Sequence, residues 1–278
     1  MFNKKSAPLS AGRFFCYYFH MGWSTKRQLL IVFILLATFL AALAFFALPY
    51  ILKAPTCSDK KQNGGESGID CGGPCVKLCL SQVNDLKVIW QRAFKVTSGA
   101  YDVLAYVTNQ NYDAGIKKII YKFSLYDAGN LLVAERVGKT FITPNGKFAI
   151  FEGGIRTGER APKRTFFEFV EIPEWEKVPA KATSFSLGTE NIRLEGASTN
   201  PRLSVSITNK SIYSLSNVEV TAILYDGQDN ALAVSKTTLD TLLKDSTETA
   251  VFTWILPFEK PPTRIEIIPR ADVFSIRF

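Results

Sequence analysis

The residue types best suited to chemistry are concentrated between positions 53 and 81, in KAPTCSDKKQNGGESGIDCGGPCVKLCLS. Four cysteines, Cys57, Cys71, Cys75 and Cys79, crowd a segment too short and too polar to build its own apolar core. In an oxidising compartment such a segment is held by two disulfides, with three pairings open. Zinc held by the four thiolates is the competing chemistry, but the spacing lacks two short CxxC knuckles. Between the cysteines, Asp59, Asn63, Glu66 and Asp70 offer the oxygen ligands that calcium takes. Their spacing is not that of an EF-hand. The same side chains can instead cap turns, with Gly64, Gly65, Gly68, Gly72 and Gly73 supplying positive φ.

Elsewhere the chemistry narrows. His20 is the only histidine of the 278 residues and precedes the apolar run described below, so an exported part would lack histidine bases, histidine metal sites and a Ser-His-Asp triad. Carboxylate-pair hydrolysis needs no histidine, and Glu168 and Glu171 are its candidates. Nothing sets a second carboxylate at a defined distance from either, so a non-enzymatic protein is expected, with no small-molecule substrate. The formal charge is +8, yet six of the 33 basic residues precede residue 54, leaving 27 against 25 acids. That balance is a solvated surface and argues against nucleic acid.

What must position the cysteine segment is the run just before it. Leu29 to Leu48 is 20 residues without a charge, about 30 Å as a helix, the thickness of a bilayer core. A transmembrane signal-anchor over residues 29–52 is expected, in contact with membrane lipid; a cleaved signal peptide is the alternative. Lys4, Lys5, Arg13, Lys26 and Arg27 precede it with no acid, so the leader, residues 1–28, is placed in the cytoplasm and the rest outside the cell membrane. Phe14, Phe15, Tyr17, Tyr18, Phe19 and Trp23 suit contact with the inner headgroups, and Cys16 reads as a free thiol.

Beyond the cysteine module (53–81) the chain repeats itself. Asp102 to Val133 aligns with Arg202 to Val234: Val103, Ala105 and Val107 fall on Leu203, Val205 and Ile207. Asn109 falls on Asn209, and Leu125-Tyr126-Asp127 on Leu224-Tyr225-Asp226. A period of about 100 residues is a duplicated domain. Within each copy the apolar residues alternate, and the pattern predicts strands at 86–96, 116–126, 131–142, 147–155 and 165–172. In the second copy they fall at 184–194, 218–225, 231–239, 248–256 and 263–268. Strands with one apolar face each must pair as sheets. An all-β ectodomain of two tandem β-sandwiches is expected, at 82–177 and 178–278. Glu171 to Lys181, with Pro173 and Pro179, reads as a stiff connector, and Phe166, Phe167, Phe169 and Trp175 as core and junction packing.

Two resemblances rest on these residues. The stretch from Cys57 to Cys79, above all Gly68 to Cys75 (GIDCGGPC), resembles a cysteine module of bacterial cell-surface and secreted proteins, which implies export, bridged cysteines and calcium. Phe123-x-Leu125-Tyr126-Asp127, with Val107 to Asn109 upstream, resembles the FxLYD family of small exported, immunoglobulin-like β-sandwiches; the second copy keeps Leu224, Tyr225 and Asp226 but has Ala222 in place of the phenylalanine. That family implies a fold and no shared catalysis. Tyr126 and Tyr225 are expected to end strands with part-buried rings, Asp127 and Asp226 to bind turn amides, and Asn109 and Asn209 to close strands locally. The expected function is presentation of the tandem domains to an envelope protein or a surface polymer, or an accessory role in a pilus, secretion or transport complex. Binding is expected on the inter-strand loops or in the groove between the domains.

Overall fold

The computed structural model describes residues 22–51, 53–179 and 186–276. The leader residues 1–21, including Cys16 and His20, and part of the expected connector lie outside them. Two units separate, Met1–Pro55 and Thr56–Phe278. The first is a helix, α1 (Trp23–Ile51), long and apolar enough to cross a membrane. It starts six residues before the uncharged run, because Lys26, Arg27 and Gln28 are good helix formers and the first turn opens on Gly22, whose carbonyl accepts from Thr25 and Lys26.

The second unit is β-structure. In the first copy the strands are β1 (Lys87–Thr97), β2 (Ala100–Asn109), β3 (Ala114–Tyr126), β4 (Leu132–Ile142), β5 (Gly146–Arg156), β6 (Arg164–Phe169) and β7 (Trp175–Lys177). In the second they are β8 (Leu187–Glu195), β9 (Arg202–Asn209), β10 (Leu215–Tyr225), β11 (Ala231–Leu242), β12 (Thr247–Thr253) and β13 (Arg264–Arg270). Among the described residues every strand pairing is antiparallel, in four sheets. Sheet I is β4-β3-β6 with β7 beside β3, sheet II β1-β2-β5, sheet III β11-β10-β13 and sheet IV β12-β9-β8. The counterpart of sheet I is therefore sheet III, and that of sheet II is sheet IV.

Three apolar layers hold the sheets together. Val103, Ala105, Val107 and Ile150 of sheet II meet Ile116, Ile119, Phe123, Leu125 and Phe167 of sheet I in the first core. Leu203, Val205, Ile207 and Phe252 of sheet IV meet Val218, Val220, Ala222 and Leu224 of sheet III in the second. The third layer joins the copies: Phe94, Leu104, Tyr106 and Ala149 of sheet II pack on Ile223, Tyr225, Ala231 and Val234 of sheet III. The order I, II, III, IV makes a four-layer stack whose inner sheets are covered on both faces. This explains why Val103-Leu104-Ala105-Tyr106-Val107 is buried without interruption, whereas Leu203-Ser204-Val205-Ser206-Ile207 alternates: β9 lies in an outer sheet.

Two expectations are corrected. Trp175–Lys177 is not connector but a strand paired with Ala114–Ile116, and Trp175 is buried in the first core. Nor does β6 run to residue 172: after Val170, whose N–H reaches Ile120, Pro173 has no N–H to continue the ladder. Phe167 and Trp175 are core, and Phe169 packs against it, but Phe166 is 52% exposed on the outer face of sheet I.

Candidate functional site

The cysteine module is built from short turns, and the disulfides pair Cys57 with Cys75 and Cys71 with Cys79. Gly68 lies so close to Cys71 Sγ and Cys79 Sγ that a Cβ there would sit 2.9 Å from each, and Gly73, at φ +58°, leaves no room for a side chain against the Gly65 carbonyl. The module is docked on the first sandwich. Leu78 N–H donates to the Trp175 carbonyl at 2.8 Å, and Lys177 N–H to the Val76 carbonyl at 2.8 Å, so Val76–Leu78 extends the edge formed by β7. Lys177 Nζ donates to the Gly73 carbonyl, and Lys77 pairs with Glu174 at 3.2 Å.

Three of the four oxygen-bearing residues of this loop, Asp59, Glu66 and Asp70, face backbone amides. Asp59 accepts from Lys61 N–H at 2.9 Å and from Asn63 Nδ2 at 2.9 Å; the Asn63 amide, more than any other neighbour, holds its carboxyl below the usual range. Asp70 accepts from Lys60 N–H through both oxygens, and Glu66 from the N–H groups of Asn63 and Asp70. Asn63 Oδ1 is enclosed without a partner. Cys57, Glu66 and Cys75 converge, but both sulfurs belong to one disulfide and are no longer thiolates.

The asparagines are central to each copy. Asn109 donates to the carbonyls of Ala114 and Thr143 and accepts from Asn111, whose own amide clasps Asn84 on the segment leaving the module. Asn209, fully buried, donates to the carbonyls of Tyr213, Leu242 and Leu243 and accepts from Ser211 N–H and Oγ. Asp127 accepts from Gly129 and Leu131 N–H, and Asp226 from Gln228 and Asn230 N–H. Phe123, Leu125 and Leu224 are core; Tyr126 sits edge-on to Phe166.

Tyr225 differs from Tyr126 because its face is covered. Its ring lies under Arg264, 3.6 Å from the guanidinium, and its hydroxyl donates to Glu266 at 2.8 Å. Tyr106, from the first copy, donates to the other oxygen of Glu266. Burial alone would raise the Glu266 carboxyl, but the bonds from Tyr106, Tyr225 and Arg264 outweigh it and hold it low. Burial, reinforced by the carboxylate, pushes the Tyr225 phenol up to about 12. Further along the seam Arg270 pairs with Glu219 and donates to the Phe141 carbonyl and to Thr140 Oγ1, and Arg92 donates to the Ala231 carbonyl at 2.9 Å. Of these seam residues Tyr225 is marked by the Leu-Tyr-Asp motif, whereas Tyr106, Glu266, Glu219 and Arg270 are not. The signal that marks them is the unbroken apolar run of β2.

The carboxylates considered for hydrolysis are not brought together as a pair. Glu168 is bound to Lys122 at 2.9 Å, and Glu171 is exposed beyond β6. Among the described residues there is no obvious catalytic constellation.

No protein-family model and no curated protein matches the chain. Among solved structures it is similar to red sea bream transglutaminase, at 11% identity and a TM-score of 0.21 over 69% of this chain. It spans 30% of the length of that protein. A chain from a chaperone–tip adhesin complex of CFA/I fimbriae gives 11% identity and a TM-score of 0.17, over 65% of this chain and 97% of that one.

Proposed function

We propose that this is a non-catalytic membrane protein, held by α1 with its N-terminus in the cytoplasm, that presents two immunoglobulin-like sandwiches outside the cell membrane to an envelope protein or a surface polymer. The observation that carries this reading is the seam. Sheets II and III are fused by an apolar layer and by the Tyr106–Glu266–Tyr225 contact, so the copies offer their surfaces as one rigid body rather than as beads on a string. The cysteine module, docked through Val76–Leu78, is part of that body.

A second reading, an accessory subunit of a pilus, secretion or transport complex, is favoured by one feature. Where the seam opens, Phe94, Val96, Val234, Trp254 and Phe258 line a recess of about 530 Å³ together with Lys95, Asp102 and Glu259, beside the exposed Ile255 and Leu256. Apolar side chains around a recess suit a protein partner better than a hydrophilic polymer. Covalent capture of neighbours from a photoreactive residue at Ile255, in the native membrane and followed by mass spectrometry, tests both. Recovery of one component of a larger machine establishes the accessory role, recovery of surface glycopolymer the first reading, and random recovery contradicts both.

A further inference from the structure

The two copies do not meet through the same sheet. The first contributes sheet II, the second sheet III, and sheet III is the counterpart of sheet I. The contact is heterologous, and it leaves open in the first copy the face that is covered in the second. The ladders fix the correspondence. Tyr225 matches Tyr126; Glu266, opposite Ile223, matches Phe166, opposite Ser124; Lys236, opposite Thr221, matches Val137, opposite Lys122.

The two outer faces of the stack are unlike each other. Sheet IV presents Ser204, Ser206, Thr208, Thr247, Thr249 and Thr253, with Val251 among them and the charges of Arg202, Glu190, Arg193 and Glu195 beside them, a polar surface fit for water. Sheet I presents Leu132, Val137, Phe166 and Val170, exposed by 44%, 59%, 52% and 56%, with Lys139 and Arg164 between them, around a charged centre in which Lys122 lies 2.9 Å from Glu168 and 3.8 Å from Glu135. An apolar rim around a centre of both signs is a surface built to be covered.

We propose that the outer face of sheet I pairs with the same face of a second copy of this chain, in a twofold contact. Continued head-to-tail stacking would require the polar face of sheet IV to cover these apolar residues, which it is unsuited to do. Twofold closure is the arrangement that buries both apolar rims at once. The centre is self-complementary, because Lys122 of one copy can reach the carboxylates of the other. Anchoring by α1 confines copies to one surface and raises their effective concentration, which lets a modest face associate. The pairing goes beyond the presentation role; a monomer would leave that role standing.

The test uses the full chain with Cys16→Ser, carrying either Val137→Cys on sheet I or Thr249→Cys on sheet IV, treated in native membranes with a short impermeant bis-maleimide. Cross-linked dimer is expected from Val137→Cys and at least tenfold less from Thr249→Cys. Adding Phe166→Asp to the Val137→Cys chain is expected to abolish the dimer while far-ultraviolet circular dichroism stays unchanged, since the Phe166 ring is half exposed. If that variant misfolds, Leu132→Lys serves in its place. Equal cross-linking from both faces, monomer alone, or a Val137→Cys adduct with a different protein overturns the proposal.

Discussion

The Tyr106 phenol, on the first sandwich, donates its hydrogen bond to Glu266 on the second, 160 residues further along the chain. That contact, with Tyr225 on the other carboxylate oxygen, closes a seam whose walls are apolar. Removing the shared acceptor leaves two phenols unpaired and leaves Arg264 with Asp229 as its carboxylate partner. Glu266→Ala is expected to cost about 1–3 kcal/mol, towards the lower end because water reaches part of the site. Urea unfolding followed by fluorescence checks it. Both copies should still unfold in one transition, because the apolar layer of the seam remains to couple them.

The seam also sets the pH range. Glu266 and Glu219 are held low in the folded state, despite burial, by their phenol and arginine partners, so their contribution is present above the ordinary carboxylate range and is lost as pH falls through their folded values. Tyr225 is raised to about 12, so its contribution is complete below the ordinary tyrosine range near 10 and is lost as pH climbs from there towards 12. Thermal melts across pH should show a plateau with an acid limb and an alkaline limb. Tyr106→Phe combined with Tyr225→Phe should weaken the alkaline limb.

Asn209 is the polar centre of the second copy, and its amide satisfies three carbonyls. Asn209→Ala strips that donor from all three and leaves the Ser211 N–H without an acceptor, while Ser211 Oγ keeps the Tyr213 carbonyl, an expected loss of about 2–4 kcal/mol. Asn109→Ala should also loosen the first sandwich from the cysteine module, because Asn111 loses the bond that orients it towards Asn84. Hydrogen exchange at the amides of Asn84 and Asn111 reads that difference.

The disulfides close loops of 18 and 8 residues, worth about 3 and about 2.5 kcal/mol by chain entropy. Peptide mapping without reduction is expected to return the pairs Cys57–Cys75 and Cys71–Cys79. Replacing both members of either pair with serine should release protection at Leu78 and Lys177, the amides that dock the module. Calcium is expected to give no heat at millimolar concentration, because the loop carboxylates already accept from backbone N–H groups; a saturable isotherm would establish the cation role read from Asp59, Asn63, Glu66 and Asp70.

Much of this architecture is legible in the chain, for a physical reason. Alternation of period two, as in Leu203 to Ile207, records one dry and one wet face, and two aligned copies repeat it. The seam was harder to read because it is written as a loss of alternation: Leu104 and Tyr106 fill positions that Ser204 and Ser206 occupy in the other copy. A residue such as Glu266 carries no local mark, since both of its phenol partners are remote in sequence. The strand Trp175–Lys177, though not the burial of Trp175, was masked by Pro173 and Pro179, which signal a connector around a strand only three residues long. The cysteine pairing required the folded turns, because spacing alone leaves three choices open.

The central claim is that the two sandwiches act as one body, and inter-label distances in the full chain test it most directly. Spin labels at Thr249→Cys and Lys139→Cys, with Cys16→Ser, report across all four sheets in lipid nanodiscs. A single narrow distance distribution is expected, broadening when Ile223→Asp puts a charge into the buried seam. A broad distribution in the otherwise unaltered chain, indifferent to Ile223→Asp, would contradict the account.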